Sequence, residues 1–244
     1  MENNTKTTIS GGKKSLSDNL RENVLTLVAA GISFVLILFF AIYYKESPIN
    51  VLPLFISLAV MFLQACVSRY TFLVGGINSI IYAIPYIGMG LYVSAATSVL
   101  TSFPFQILAF IRWSKNTENG ETKIRAMSWR QRGLVVGIFA AVWLLMYLIF
   151  GALVSGYLVL DNTTNVLSIA QSILSVLRYF EYTILQIGYC IFQIATFVAV
   201  IADDPSKITY LIFSVYSTFC VAVSLYRMFR RSSRSSRSSR SSRA

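Results

Sequence analysis

The sequence contains no histidine, only ten aspartates and glutamates, and three cysteines in 244 residues. The missing imidazole removes the commonest proton carrier near neutral pH and the commonest metal ligand. Glu2, Asp18, Glu22, Glu46, Glu118, Glu121, Asp161, Asp203 and Asp204 fall in expected tails or loops, and Glu181 alone sits at a span boundary. No carboxylate is therefore expected deep in the molecule, and a proton relay has no evident carrier. The same shortage excludes most acid–base and metal-assisted reactions. Binding and passage are expected instead of a reaction, with no catalytic residue, no metal and no cofactor. Cys66, Cys190 and Cys220 lie inside apolar stretches without metal-ligand spacing, so they read as small packing residues.

Charge is scarce as well, at 13% of residues against 55% hydrophobic, where a soluble domain carries about 25% charge. The apolar residues come in blocks of about 17–23, the length that crosses a hydrocarbon core. The candidate spans are roughly 24–44, 50–68, 71–89, 91–112, 133–159, 164–180, 183–202 and 208–229. Only helices satisfy their own backbone hydrogen bonds in lipid, so the fold class is an all-α integral membrane protein with about eight transmembrane helices. Residues 1–23 form a polar tail, 24–230 a single transmembrane domain, and 231–244 an Arg/Ser tail expected to be disordered. The first block follows a long polar segment with no small-residue cleavage site and reads as a retained helix.

The net charge of +11 suggests a nucleic-acid binder only until its distribution is considered. With the N-terminus in the cytoplasm, 19 lysines and arginines fall inside, and Lys45 and Lys207 fall outside. That asymmetry is the one membrane insertion produces, and it places both termini in the cytoplasm. The basic tail then attracts anionic lipid, and the bilayer, not nucleic acid, is the expected partner.

A repeat is legible at an offset of 111 residues. Thr71, Gly75, Asn78 and Tyr82 in the third span match Tyr182, Gln186, Tyr189 and Gln193 in the seventh, all at spacings i, i+4, i+7 and i+11. Such positions share one helix face. Two parallel three-helix repeats, about 50–113 and about 164–230, are therefore expected, joined by a linker helix at about 133–159 and preceded by an extra N-terminal helix. Repeats of this kind hold substrate near the membrane midplane between them. The candidate binding residues are Asn78, Tyr82, Gln106, Tyr182, Gln186, Tyr189 and Gln193. Amides supply donors and acceptors, and tyrosines supply a stacking face with a hydroxyl. The competing reading is that these groups pair across helices as structural glue. Pro104 is expected to kink the fourth span. Trp113 and Trp129 are expected at the membrane interface, and Gly133-x-x-x-Gly137 reads as a close helix contact.

The stretches Gly75-Gly76-Ile77-Asn78-Ser79-Ile80-Ile81-Tyr82, Gly90-Leu91-Tyr92, Phe103-Pro104-Phe105-Gln106 and Arg112-Trp113-Ser114-Lys115-Asn116 carry a resemblance. So do Met127-Ser128-Trp129-Arg130-Gln131-Arg132, Leu160-Asp161, Val166-Leu167-Ser168-Ile169-Ala170-Gln171 and Arg178-Tyr179-Phe180-Glu181. In order and spacing, over about residues 50–231, they resemble the PnuC family of vitamin transporters. The resemblance implies a SWEET-like three-plus-one-plus-three core in a bacterial inner membrane, assembled as a homo-oligomer such as a trimer. It implies facilitated diffusion of nicotinamide riboside, with trapping by intracellular phosphorylation; thiamine or a deoxynucleoside is the alternative substrate. A membrane receptor or sensor is the alternative from another class. The seventh span departs from the family's pattern: it has Tyr182, Gln186, Tyr189 and Cys190 where members carry tryptophans and an asparagine.

Overall fold

The computed structural model describes residues 16–118, 121–122, 127–150 and 158–241. Residues 1–15 of the expected tail, 123–126 in the basic loop, 151–157 at the end of the expected fifth span and the last three residues lie outside the described residues. Nine α-helices follow one another among those described: α1 Leu16–Tyr43, α2 Pro48–Ala65, α3 Tyr70–Gly88, α4 Tyr92–Thr97, α5 Phe103–Lys115, α6 Trp129–Phe150, α7 Leu158–Val176, α8 Glu181–Asp203 and α9 Ile208–Ser241. Apart from them the described residues form a π-helical turn, Ser98–Ser102, a 3-10 turn, Pro205–Lys207, and a two-residue antiparallel ladder pairing Thr117 with Thr122 and Glu118 with Glu121.

Local sequence explains the boundaries. Pro48 opens α2 behind an extended Ser47, where its missing N–H is no loss. Gly90, at φ 73°, turns the chain from α3 into α4, a conformation that glycine adopts freely. α4 and α5 belong to one span, Tyr92–Lys115, interrupted by a π-helical turn at Ser98–Ser102. Pro104 cannot donate to the carbonyl four residues earlier, and the wider turn accommodates that gap. The Ser98 and Thr101 hydroxyls donate to the Ser94 and Thr97 carbonyls, each at 2.7 Å, which adds to the bend.

Among the described residues, seven helical spans are long and apolar enough to cross a membrane. The eighth crossing is α7, which has 19 residues but is more polar than the rest. It occupies Leu158–Val176 and not the expected 164–180, because Asp161, Asn162 and Asn165 read as loop residues yet are buried and bonded inside the bundle. Tertiary partners outweigh their polarity. α9 also runs to Ser241, which corrects the expected disorder of the tail as far as that residue. No glycine or proline lies between Arg231 and Ser241, and extending an existing helix is far cheaper than nucleating one.

The six inner helices form a closed ring. α2 lies against α3, α3 against α5, α5 against α7, α7 against α8, α8 against α9, and α9 against α2. Replacing α2, α3 and α5 by α7, α8 and α9 leaves this neighbour list unchanged, as a two-fold arrangement of parallel repeats requires. Outer helix α1 rests on α2 and α9, and α6 rests on α7.

The turns inside the repeats match residue for residue. Val67 and Arg178 both take left-handed backbone angles, at φ 55° and 61°, an unusual choice for non-glycine residues. Val67 N donates to Gln64 O and Ser68 N to Leu63 O; Arg178 N donates to Ser175 O and Tyr179 N to Leu174 O. All four pairs lie 111 residues apart.

Apolar side chains cover the outside, and most of α1 and α6 is exposed, including Leu25, Val35, Leu144 and Leu148. Lipid solvates such surfaces. Trp129, 83% exposed, suits an interface position, whereas Trp113 is only 1% exposed. The expectation that Trp113 lies in an interface belt is corrected: its indole donates to Ser175 O at 2.8 Å inside the bundle. A Cβ at Gly133 or Gly137 would meet no atom within 4 Å, so neither marks a close helix contact among the described residues.

Candidate binding cavity

The ring encloses a cavity of about 190 Å³, far larger than the 10–15 Å³ or so that one water needs. Asn78, Tyr82 and Gln106 from the first repeat and Tyr182, Gln186, Tyr189 and Gln193 from the second all line it. The two stripes separated by 111 residues thus face one space. Their side chains differ in how they are engaged.

Asn78, 3% exposed, donates its amide to Pro53 O at 3.0 Å and to Ser57 Oγ at 2.7 Å. Because the Pro53 carbonyl only accepts, the amide orientation is fixed, and Asn78 Oδ1 is left buried without a partner. Gln193, 5% exposed, leaves its Oε1 unpaired as well. Ser57 Oγ donates to the Tyr82 hydroxyl at 2.9 Å, and the Tyr82 ring stacks on Tyr86 with centroids 5.2 Å apart. The Tyr189 hydroxyl has no hydrogen-bond partner among the described residues. Tyr182 meets Trp113 edge-on at 6.1 Å.

Two of the seven look more structural. Gln186 exchanges amide hydrogen bonds in both directions with Gln64 of α2, as glue between the repeats would. Gln106 donates to Ser79 Oγ at 3.1 Å, and its carboxamide fills the space above Gly75. A Cβ there would overlap Gln106 Oε1, so glycine is what lets α5 and its amide approach α3.

The sequence reading overlooked Asp161. It was expected in an external loop, but it lies in the first turn of α7, 1% exposed, and lines the cavity. Its carboxylate accepts from Ser94 Oγ, from Asn165 Nδ2 at 2.8 Å and from the Val93 amide at 3.2 Å. It thereby serves the amino end of α4, whose first amides have no partner within the helix. A signal was present. Asp161, Asn165, Ser168, Ser172 and Ser175 follow the i, i+4, i+7, i+11, i+14 spacing of one helix face, and all five line the cavity. Thr71 Oγ1 and Gln171 Oε1 are two more unpaired polar atoms of cavity-lining residues.

Both seams between the repeats are tied at each end. On the α4–α7 and α5–α7 side the ties are Asp161 with Val93 and Ser94, and Trp113 with Ser175. On the α2–α9 side, Lys207 pairs with Glu46 at 2.8 Å and the Tyr210 hydroxyl donates to Asn50 O at 2.7 Å. Arg227 donates to Ala65 O at 2.5 Å at the other end of that seam. Glu181 lies outside the cavity and pairs with Arg132 at 2.9 Å.

The family described as nicotinamide mononucleotide transporter matches residues 47–230. Among solved structures, one described as the crystal structure of the vitamin B3 transporter PnuC superposes with a TM-score of 0.65. It is 24% identical, and the match covers 84% of this chain and 92% of that one. No curated protein matches.

Proposed function

The chain belongs to the nicotinamide mononucleotide transporter family, and from that premise we propose that it carries nicotinamide riboside, or a closely related vitamin or nucleoside, by facilitated diffusion across a bacterial inner membrane. The observation that carries this reading is the composition of the cavity. Asn78 Oδ1 and Gln193 Oε1 lack partners there, which suits a solute with amide and hydroxyl donors. Tyrosines line the same space, and aromatic solutes stack on tyrosine rings.

The same composition favours the riboside over its nucleotide. No lysine or arginine is among the described residues lining the cavity, and Asp161 is. A phosphate of about −1.5 to −2 charge would enter beside a carboxylate without a counterion, which burial makes costly. Uniport with trapping by a cytoplasmic kinase remains our reading despite the buried Asp161. The chain has no histidine, and no second carboxylate is among the described residues lining the cavity, so a relay lacks a further carrier. Both termini are assigned to the cytoplasm on the distribution of lysine and arginine.

Liposomes containing only this protein test the proposal. Labelled nicotinamide riboside is expected to equilibrate without an imposed gradient, with uptake unchanged by a protonophore or by replacing sodium. The same sample is expected to exclude the mononucleotide. A folded protein that passes no vitamin or nucleoside would overturn the reading.

A further inference from the structure

We propose that Asp161 makes the cavity selective for a cationic aromatic ring over a neutral ring of the same shape. The inference deepens the reading above and rests on it, because it assumes that the solute is a ribosylated ring. Asp161 is buried at 1% exposure, and its partners are the Ser94 hydroxyl, the Asn165 amide and the Val93 N–H. All three are neutral dipoles. They solvate a carboxylate but do not cancel its charge, and a buried charge ordinarily has a counter-charge nearby. None is supplied by the described residues around the cavity. Lys207 and Arg132 pair with Glu46 and Glu181 instead.

The rest of the lining points the same way. Asn78 and Gln193 line the cavity, and each keeps a buried acceptor without a partner: Asn78 Oδ1, whose amide is oriented by the Pro53 carbonyl, and Gln193 Oε1. Their complement is a donor or a positive charge. Tyr82, Tyr86 and Tyr189 also border the space, and tyrosine rings attract cations to their faces. A pyridinium or thiazolium entering here supplies the charge that the protein omits. The first repeat and the second both contribute, so the selectivity belongs to the assembled ring.

Isothermal titration in detergent compares nicotinamide riboside with ribosylbenzamide, the neutral isostere in which carbon replaces the ring nitrogen. For charges roughly 8–10 Å apart at an effective dielectric of about 20, the wild type is expected to prefer the cation by about 15- to 35-fold. Asp161→Asn, with its melting temperature recorded as a check on folding, is expected to lose most of that preference while still binding the neutral isostere. Asp161→Ser replaces it should the asparagine variant fail to fold. Equal affinity of the wild type for both ligands overturns the inference and leaves the transport reading standing. A preference that survives intact in the variant assigns selectivity to the tyrosines and also overturns it. Binding of neither ligand by folded wild type overturns the transport reading, and this inference with it.

Discussion

Replacing Asn78 by alanine separates a binding role from a structural one. The substitution removes two donated hydrogen bonds, to Pro53 O at 3.0 Å and Ser57 Oγ at 2.7 Å, and the buried, unpaired Oδ1 of a cavity-lining residue. The two bonds contribute roughly 0.5–1.5 kcal/mol each, so the fold is expected to lose about 1–3 kcal/mol. Ser57 still bonds Tyr82, which limits the disturbance. A solute donor that pairs with Oδ1 contributes a further 0.5–1.5 kcal/mol or so, and its loss weakens affinity by about 2- to 10-fold. Thermal melting in detergent reads the first effect, and titration of nicotinamide riboside below the melting range reads the second. Ile80→Ala, on the lipid-facing side of the same helix, controls for general loosening and is expected to leave affinity unchanged. If Asn78→Ala lowers the melting temperature but not the affinity, Asn78 only joins α3 to α2. If Ile80→Ala weakens binding equally, the polar stripe is not the site.

Tyr189→Phe is expected to bind within about 2-fold of wild type, since the hydroxyl has no partner among the described residues, whereas Tyr189→Ala loses stacking of about 1 kcal/mol and weakens binding roughly 5-fold; titration of both variants checks the order. In a thermal-melting cycle, Gln64→Ala and Gln186→Ala should each destabilise by leaving the other amide unpaired, and the double variant should recover about 0.5–1.5 kcal/mol relative to their sum. Gly75→Ala is expected to push the Gln106 carboxamide from its place and to lower affinity several-fold. Because the displaced atom is the end of a flexible side chain, its melting temperature should change little.

The helical fold and its internal repeat were legible because both rest on patterns one residue type deep. Apolar length marks a span whichever residues supply it, and the 111-residue offset preserves spacing even where Asn78 corresponds to Tyr189 and Tyr82 to Gln193. Six of the seven candidate residues line one cavity for the same reason: a stripe at i, i+4, i+7 and i+11 has only one face to occupy, and Gln106 joins them from α5. α7 was displaced because hydropathy scores Asp161, Asn162 and Asn165 as loop residues. Their burial depends on Ser94, the Val93 amide and the Trp143 carbonyl, which lie distant in sequence. Trp113 was misplaced similarly, since nothing local marks Ser175 O as its acceptor. The stripe from Asp161 to Ser175 was present in the sequence, but reading it required accepting a carboxylate inside a span.

The distribution of ties around the ring bears on how a cavity in a bilayer exchanges its contents. Each seam is tied near both ends, and the cavity lies between the ties. At the end where α2, α4, α7 and α9 begin, parting the repeats breaks the bonds from Val93 and Ser94 to Asp161, from Tyr210 to Asn50, and from Lys207 to Glu46. At the other end it breaks those from Trp113 to Ser175 and from Arg227 to Ala65. Hydrogen bonds contribute about 0.5–1.5 kcal/mol each, or about 1.5–3 where one partner is charged. A few such ties amount to several kcal/mol at either end, the scale that separates a dominant conformation from a minor one. Aromatic contacts cross the boundary as well: Trp113 meets Tyr182 edge-on, and Tyr82 meets Tyr210. Both hydrophobic clusters also draw residues from the two repeats, so apolar contacts add to these polar ties in holding the three-helix units together at the boundary where the cavity lies.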